Sequence, residues 1–147
     1  IACQRFFTVY GPRQRPDLAI HKFARLIAMG KPLPVYGDGA TQRDYTYVDD
    51  IVDGIVRAWV WLQQGDPMAG AYDIFNLGGS HPVPLLELIR LLATALGYTA
   101  SIDWQAEQPG DVPITYADLR KSEALLGYRP QVDIATGMQR FAAWFQE

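Results

Sequence analysis

Three loops of this sequence gather the side chains best suited to binding chemistry. The first follows "RFF" and carries Thr8, Arg13 and Arg15. The second runs from Val35-Tyr36-Gly37-Asp38-Gly39 to Arg43-Asp44. The third is "QPGDV", Gln108 to Val112. Each joins a glycine or proline turn to one or two polar groups. An arginine presents a planar fork of donors that matches phosphate oxygens. An exposed tyrosine offers a flat face to a base. An aspartate accepts both hydrogens of a ribose diol. These are the parts of a site for a nucleoside diphosphate, and they are also what solvated loops contain.

Chemistry beyond binding is sparse. His21 and His81 stand far apart and Cys3 is the single cysteine, which argues against a zinc site. The sequence holds neither a G-x-S-x-G elbow nor a P-loop. "NLGGS", residues 76–80, lacks G-x-G-x-x-G spacing and reads as a turn, with Asn76 and Ser80 bonding within it. Asp49 and Asp50 suggest a paired acid and base. Helix capping is the better reading, because an apolar helical period starts beside them.

The bulk numbers narrow the classes. A chain of 147 residues with 49% apolar and 20% charged residues can bury a core as one globular domain. A net charge of −3 without a basic stripe argues against a nucleic-acid surface. No apolar run approaches the roughly 18 residues of a membrane span. A lone cysteine forms no internal disulfide, so a reducing cytoplasm is the default location. The opening "IACQRFF" reads like the interior of a sheet. It predicts a fragment whose upstream sequence is missing.

The elements that must position the loops follow from periodicity. Residues 2–7 read as a short strand. Residues 18–29 keep helical spacing through Ile20, Phe23, Ala24 and Ile27, with Gly30 closing the helix. "KPLPVYG" is extended, "DGATQR" a polar turn, and "DYTYV" alternates as a strand. A strong helix follows, with Val48, Ile51, Val52, Ile55, Trp59 and Leu62 as its apolar stripe and Gly65 with Pro67 as its end. "AYDIFNLGG" is a strand into a glycine turn. "PVPLLELIRLLATALG" is a second helix, with Leu85, Leu88, Ile89, Leu92 and Leu96 on one face. "ASIDWQ" is strand-like, and a short helix from Asp118 ends at Gly127. The last helix carries Ile134, Met138, Phe141, Ala142 and Phe145. The class is α/β and helix-rich. Its strands are too short and scattered for a parallel sheet of their own, and are expected to complete a larger one.

The set "RFFTVYGP", "RPDLA", "PVYGDGATQRDYTYVDDIVDGIVRA", "YDIFNLGG" and "QPGDV" resembles the C-terminal half of nucleotide-sugar epimerases and dehydratases. These belong to the extended short-chain dehydrogenase/reductase family, and the resemblance covers nearly the whole chain in order. It is nearest to the UDP-glucuronate 4-epimerase branch, where Thr8 replaces a common Asn. The resemblance implies a substrate-binding domain over residues 1–147, downstream of an absent Rossmann core. Val35 and Tyr36 would border uracil. Arg43 would bind the diphosphate and Asp111 the ribose hydroxyls. Gln108 stands where several relatives carry a phosphate-binding Arg. Thr8 would meet the sugar carboxylate, and Arg15 would lie near the sugar. Phe6 and Phe7 would close the nicotinamide side of an NAD site. The family's Gly-rich fingerprint and Tyr-x-x-x-Lys pair are absent here, so no catalytic residue is assigned and the fragment alone is expected to be inactive. The full-length protein would be a homodimer using NAD. A 4,6-dehydratase, a UDP-glucuronate decarboxylase or a non-catalytic nucleotide-sugar binding module would share most of these loops.

Overall fold

Short β-branched and aromatic runs, cut by glycine and proline, give seven brief strands among the described residues, with five helices between them. In a computed structural model, residues 1–64 and 72–147 are described. The order is β1 (Ala2–Phe6), β2 (Thr8–Tyr10), α1 (Ala19–Ala28), β3 (Leu33–Tyr36), β4 (Gln42–Tyr47) and α2 (Val48–Gln64). Then come β5 (Asp73–Leu77), β6 (Pro82–Pro84), α3 (Leu85–Leu96), β7 (Ile102–Gln105), α4 (Arg120–Leu126) and α5 (Ile134–Phe145). The predicted helix end at Gly65 and Pro67 lies outside the described residues.

The strands form small separate sheets. β1 pairs in parallel with β5, from Ala2 opposite Asp73 to Phe6 opposite Leu77. β4 lies between β2, parallel to it, and β6, antiparallel. β3 and β7 pair in parallel, with Val35 opposite Trp104. Among the described residues β1 has one unpaired edge. That fits the expectation of strands that complete a larger sheet. Pro34 and Lys31-Pro32 keep β3 at a sheet margin, as proline must.

Two apolar clusters sit on either side of β2 and β4. The larger joins Ile20, Phe23 and Ile27 of α1, Leu88 and Leu92 of α3, and Met138 and Phe141 of α5. The smaller joins Ile51 and Ala58 of α2, Phe75 and Leu77 of β5, Leu126 and Tyr128. Each such side chain contributes roughly 1.5–3 kcal/mol of burial.

The α2 stripe is corrected. Ile51, Gly54 and Ala58 are buried, whereas Val52, Ile55 and Trp59 are exposed. The helix turns its small residues inward because there is no room for large ones. A Cβ on Gly54 would lie 2.7 Å from Leu77 Cδ1 and 3.1 Å from Tyr128 Cε2. A period weighted by large apolar residues is drawn to the wrong face. The capping expectation for Asp50 is also corrected. Asp49 and Asp50 sit in the first turn, where their charge suits the helix dipole. The buried Asp50 carboxylate instead accepts N–H bonds from Gln131 (2.9 Å) and Val132 (3.1 Å), tying the approach to α5 onto α2.

Acid should loosen this framework. Lys121 donates to Asp73 across 2.6 Å and holds its carboxyl below the ordinary 3.8. The backbone N–H of Thr136 does the same for Asp133, the cap of α5. Arg120 lowers Asp118 to about 2. Groups with lowered folded values stabilise fully above the unfolded value and lose that contribution as pH falls through the folded one. Thermal unfolding followed by circular dichroism should therefore show little change from pH 7 to 5. It should show a falling midpoint from pH 4 toward 2.

Candidate nucleotide site

The second and third loops meet. β4 begins two residues earlier than alternation alone indicates, so Gln42 and Arg43 belong to the strand. The segment after "QPGDV" runs beside it as one more stretch of pairing. Gln42 N–H donates to Pro113 O (2.8 Å), and Thr115 N–H donates to Gln42 O (3.1 Å). Arg43 then reaches across its own backbone into the third loop. Its guanidinium donates to Val112 O (2.6 Å), to Gln42 O (2.9 Å) and, in a close ion pair, to Asp111. Its ion pair is with Asp111 rather than with the neighbouring Asp44 or Asp49. Two of the residues singled out by type, 68 positions apart, form one clamp.

Beside the clamp lies a cavity of about 480 Å³. Tyr36, Gly37, Asp38, Thr41, Gln108 and Asp111 line it. The Tyr36 ring is partly exposed at its wall, while Val35 is fully buried in the core and is not among the cavity's walls. Gly37 and Gly39 take left-handed φ values of 64° and 71°, which turn the chain tightly beneath it. Asp38 Oδ1 accepts from Ala40 N–H (2.9 Å) and fixes that turn. The walls carry Asp38, Glu107 and Asp111, and the ion pair with Asp111 brings Arg43 up to the cavity. The arrangement offers an aromatic face, carboxylates for hydroxyl donors, and one cationic fork.

The first loop is placed apart from this cavity. Thr8 starts β2 with its side chain exposed, and Phe6 is half exposed at the end of β1. Phe7 N–H donates to Leu77 O (3.0 Å), which fixes the crossing between the two strands. Arg15 pairs with Asp17 at 2.5 Å and is exposed. None of the four is among the cavity's walls. Gln14 anchors the loop, donating from Nε2 to Val9 O (3.1 Å) and sharing its carbonyl with His21 Nδ1 (2.7 Å). His21 is packed edge-on against Trp144 and Phe145, a structural role. Arg13 takes a left-handed φ of 64° there.

The residues that stitch the segments together carry no periodic signal. Thr115 accepts from Asp44 N–H through its hydroxyl (3.1 Å). Asn76 and Ser80 do not bond within their turn: Asn76 donates to Asp118 O (3.0 Å) and Ser80 Oγ to Ala117 O (3.2 Å). A polar residue flanking a glycine pair is the signal that was there, but its partners lie about 40 residues away.

A model of the NAD dependent epimerase/dehydratase family matches residues 1–78, more than half of the chain, and the chain belongs to that family. It is 49% identical over 143 residues to an uncharacterised protein of Methanocaldococcus jannaschii, covering 97% of this chain and 42% of that one. It is 36% identical to the UDP-glucuronate 4-epimerase of Thermodesulfobacterium geofontis, covering 100% and 43%. The UDP-glucuronic acid 4-epimerase of Bacillus cereus, solved with UDP-glucuronic acid and NAD, superposes with a TM-score of 0.86. That match is 35% identical over 97% of this chain and 44% of the other. The chain thus spans less than half the length of these relatives. Among the described residues no helix is long and apolar enough to cross a membrane.

Proposed function

We propose that this chain is the substrate-holding part of an NAD-dependent nucleotide-sugar epimerase, and that its ligand is the UDP of UDP-glucuronate. The observation that carries this reading is the Arg43–Asp111 clamp at the rim of the Tyr36 and Gln108 cavity. Tyr36 stacks on uracil. Asp111 takes the ribose hydroxyls, and the Arg43 fork takes the diphosphate. Gln108 supplies a neutral donor where a second cation would strengthen the grip. An epimerase needs firm hold on the part that stays still and looser hold on the sugar that turns. The exposed Thr8 and the mobile-length side chain of Arg15 suit the sugar end, and interconversion with UDP-galacturonate at carbon 4 is the reaction we assign.

We assign Phe6 and Phe7 to the nicotinamide side of an NAD site, and the sequence supplies no glycine-rich dinucleotide turn. The rest of the cofactor site and the catalytic acid–base pair are therefore assigned to protein outside this chain. Full-length protein given UDP-glucuronate should release UDP-galacturonate. Carbon dioxide as product would instead mark a decarboxylase.

The direct test on this chain is titration with UDP, followed by backbone amide shifts. Saturable shifts should centre on residues 36–43 and 107–113, with a Kd on the order of 1 mM for half a site. Uridine without phosphates should bind more weakly. Shifts that do not saturate, or that centre elsewhere, defeat the assignment.

A further inference from the structure

Asp44 follows Arg43 but points away from the cavity, and it is fully buried. Its carboxylate pairs with no lysine or arginine among the described residues. Three backbone donors hold it instead. Oδ1 accepts from Gly79 N–H (2.7 Å), and Oδ2 from Ser80 N–H (3.0 Å) and Ala117 N–H (2.9 Å). The two successive donors at 79 and 80 converge because Ser80 adopts a left-handed φ of 56°, costly for a residue with a side chain. Such paired N–H groups make an anion nest, and here the anion is supplied by the protein. The packing leaves no slack. A Cβ on Gly78 would overlap Ala117 Cβ and lie 3.4 Å from Phe7 Cβ, and one on Gly79 would lie 2.7 Å from Tyr45 O.

The donors belong to different working parts. Gly79 and Ser80 leave the end of β5, next to Phe7. Ala117 ends the segment that carries Gln108 and Asp111. Asp44 N–H meanwhile donates to Thr115 Oγ1 in the same segment. We propose that Asp44 is a positioning residue, whose carboxylate fastens the Asp111 loop to β4 and to the end of β5. The orientation of the Arg43–Asp111 clamp then depends on a side chain that never touches the ligand. The ligand half of this inference rests on the UDP reading above.

Asp44→Asn tests it. The amide keeps the size but turns an N–H₂ toward N–H donors and removes the charge they complement. Amide hydrogen exchange should accelerate about tenfold or more at Gly79, Ser80 and Ala117, while α3 and α5 keep their protection. UDP affinity should fall by about tenfold with little change in the exchange of that core. Exchange that rises equally throughout, or stays unchanged at Ala117, overturns the positioning role. Wild-type UDP affinity in the variant does the same. Failure of the unsubstituted chain to bind UDP defeats the nucleotide reading instead, and the exchange pattern still decides whether Asp44 holds the loop. If Asp44→Asn does not fold, Asp44→Glu keeps the charge but sets the carboxylate one methylene away from the position where all three N–H donors meet it. It should raise exchange at Ala117 and weaken UDP binding, and no change in either refutes the proposal.

Discussion

Arg43→Ala should abolish saturable UDP binding under conditions where the unsubstituted chain saturates. A charge-assisted hydrogen bond contributes about 1.5–3 kcal/mol, so losing a two-pronged contact to a diphosphate weakens binding by roughly a hundredfold. The geometry makes the loss larger than deletion of one contact. Arg43 also holds Val112 O and Asp111, so alanine frees the loop that carries the ribose contact. It further leaves Asp111, beside Asp38 and Glu107 in the cavity wall, without its paired cation. The site then repels the anion it held. Arg43→Lys should fall between the two, keeping the charge but not the fork. Amide-shift titration at two salt concentrations checks the charge contribution: the unsubstituted chain should bind UDP less well at high salt, and the alanine variant should show no saturable binding at either concentration. Retained affinity in Arg43→Ala would move the diphosphate elsewhere.

The helices that bury large aliphatic side chains at helical spacing were legible in the sequence. α1, α3 and α5 place Ile20, Phe23, Leu88, Leu92, Met138 and Phe141 in the core where periodicity put them. The helix of α2 was legible too, but of its inner face only Ile51, since Gly54 and Ala58 carry little hydrophobic signal. The site followed the same division. Arg43, Asp111, Tyr36 and Gln108 could be picked by type and motif. Their meeting depends on pairing between β4 and a segment some 70 residues later, which no local pattern encodes. Asp44 shows the limit well. In an alternating strand it reads as a surface carboxylate, and only distant backbone donors make its burial tolerable.

The largest stability effect should come from Gly137→Ala. Taken alone, alanine favours a helix over glycine by about 1 kcal/mol. In α5, however, a Cβ at this position would overlap Tyr10 Oη and lie 2.7 Å from Tyr10 Cζ and 3.0 Å from Cε2. Tyr10 is fully buried at the end of β2, boxed in by Tyr45 and Tyr47, so its ring has nowhere to swing. Overpacking of this kind costs about 1–3 kcal/mol and more when nothing yields, so a net loss of about 2 kcal/mol is expected. That corresponds to a melting temperature lower by roughly 4–8 °C for a chain of this size. The Tyr10 hydroxyl that blocks the space has no hydrogen-bond partner among the described residues, and burial pushes its pKa well above the ordinary value. Tyr10→Phe should therefore cost little or even stabilise. In the double variant the ring edge still crowds the new methyl, so rescue should be partial, with a coupling of about 1 kcal/mol between the sites. Strict additivity would show that the collision is not the cause. The consequence for the site is specific. Tyr10 leads directly into Gly11 and the loop of Arg15, whereas the Arg43–Asp111 clamp is held from β4. Gly137→Ala should thus disturb amides of the first loop and leave UDP affinity nearly unchanged, separating the nucleotide grip from the sugar end within one chain.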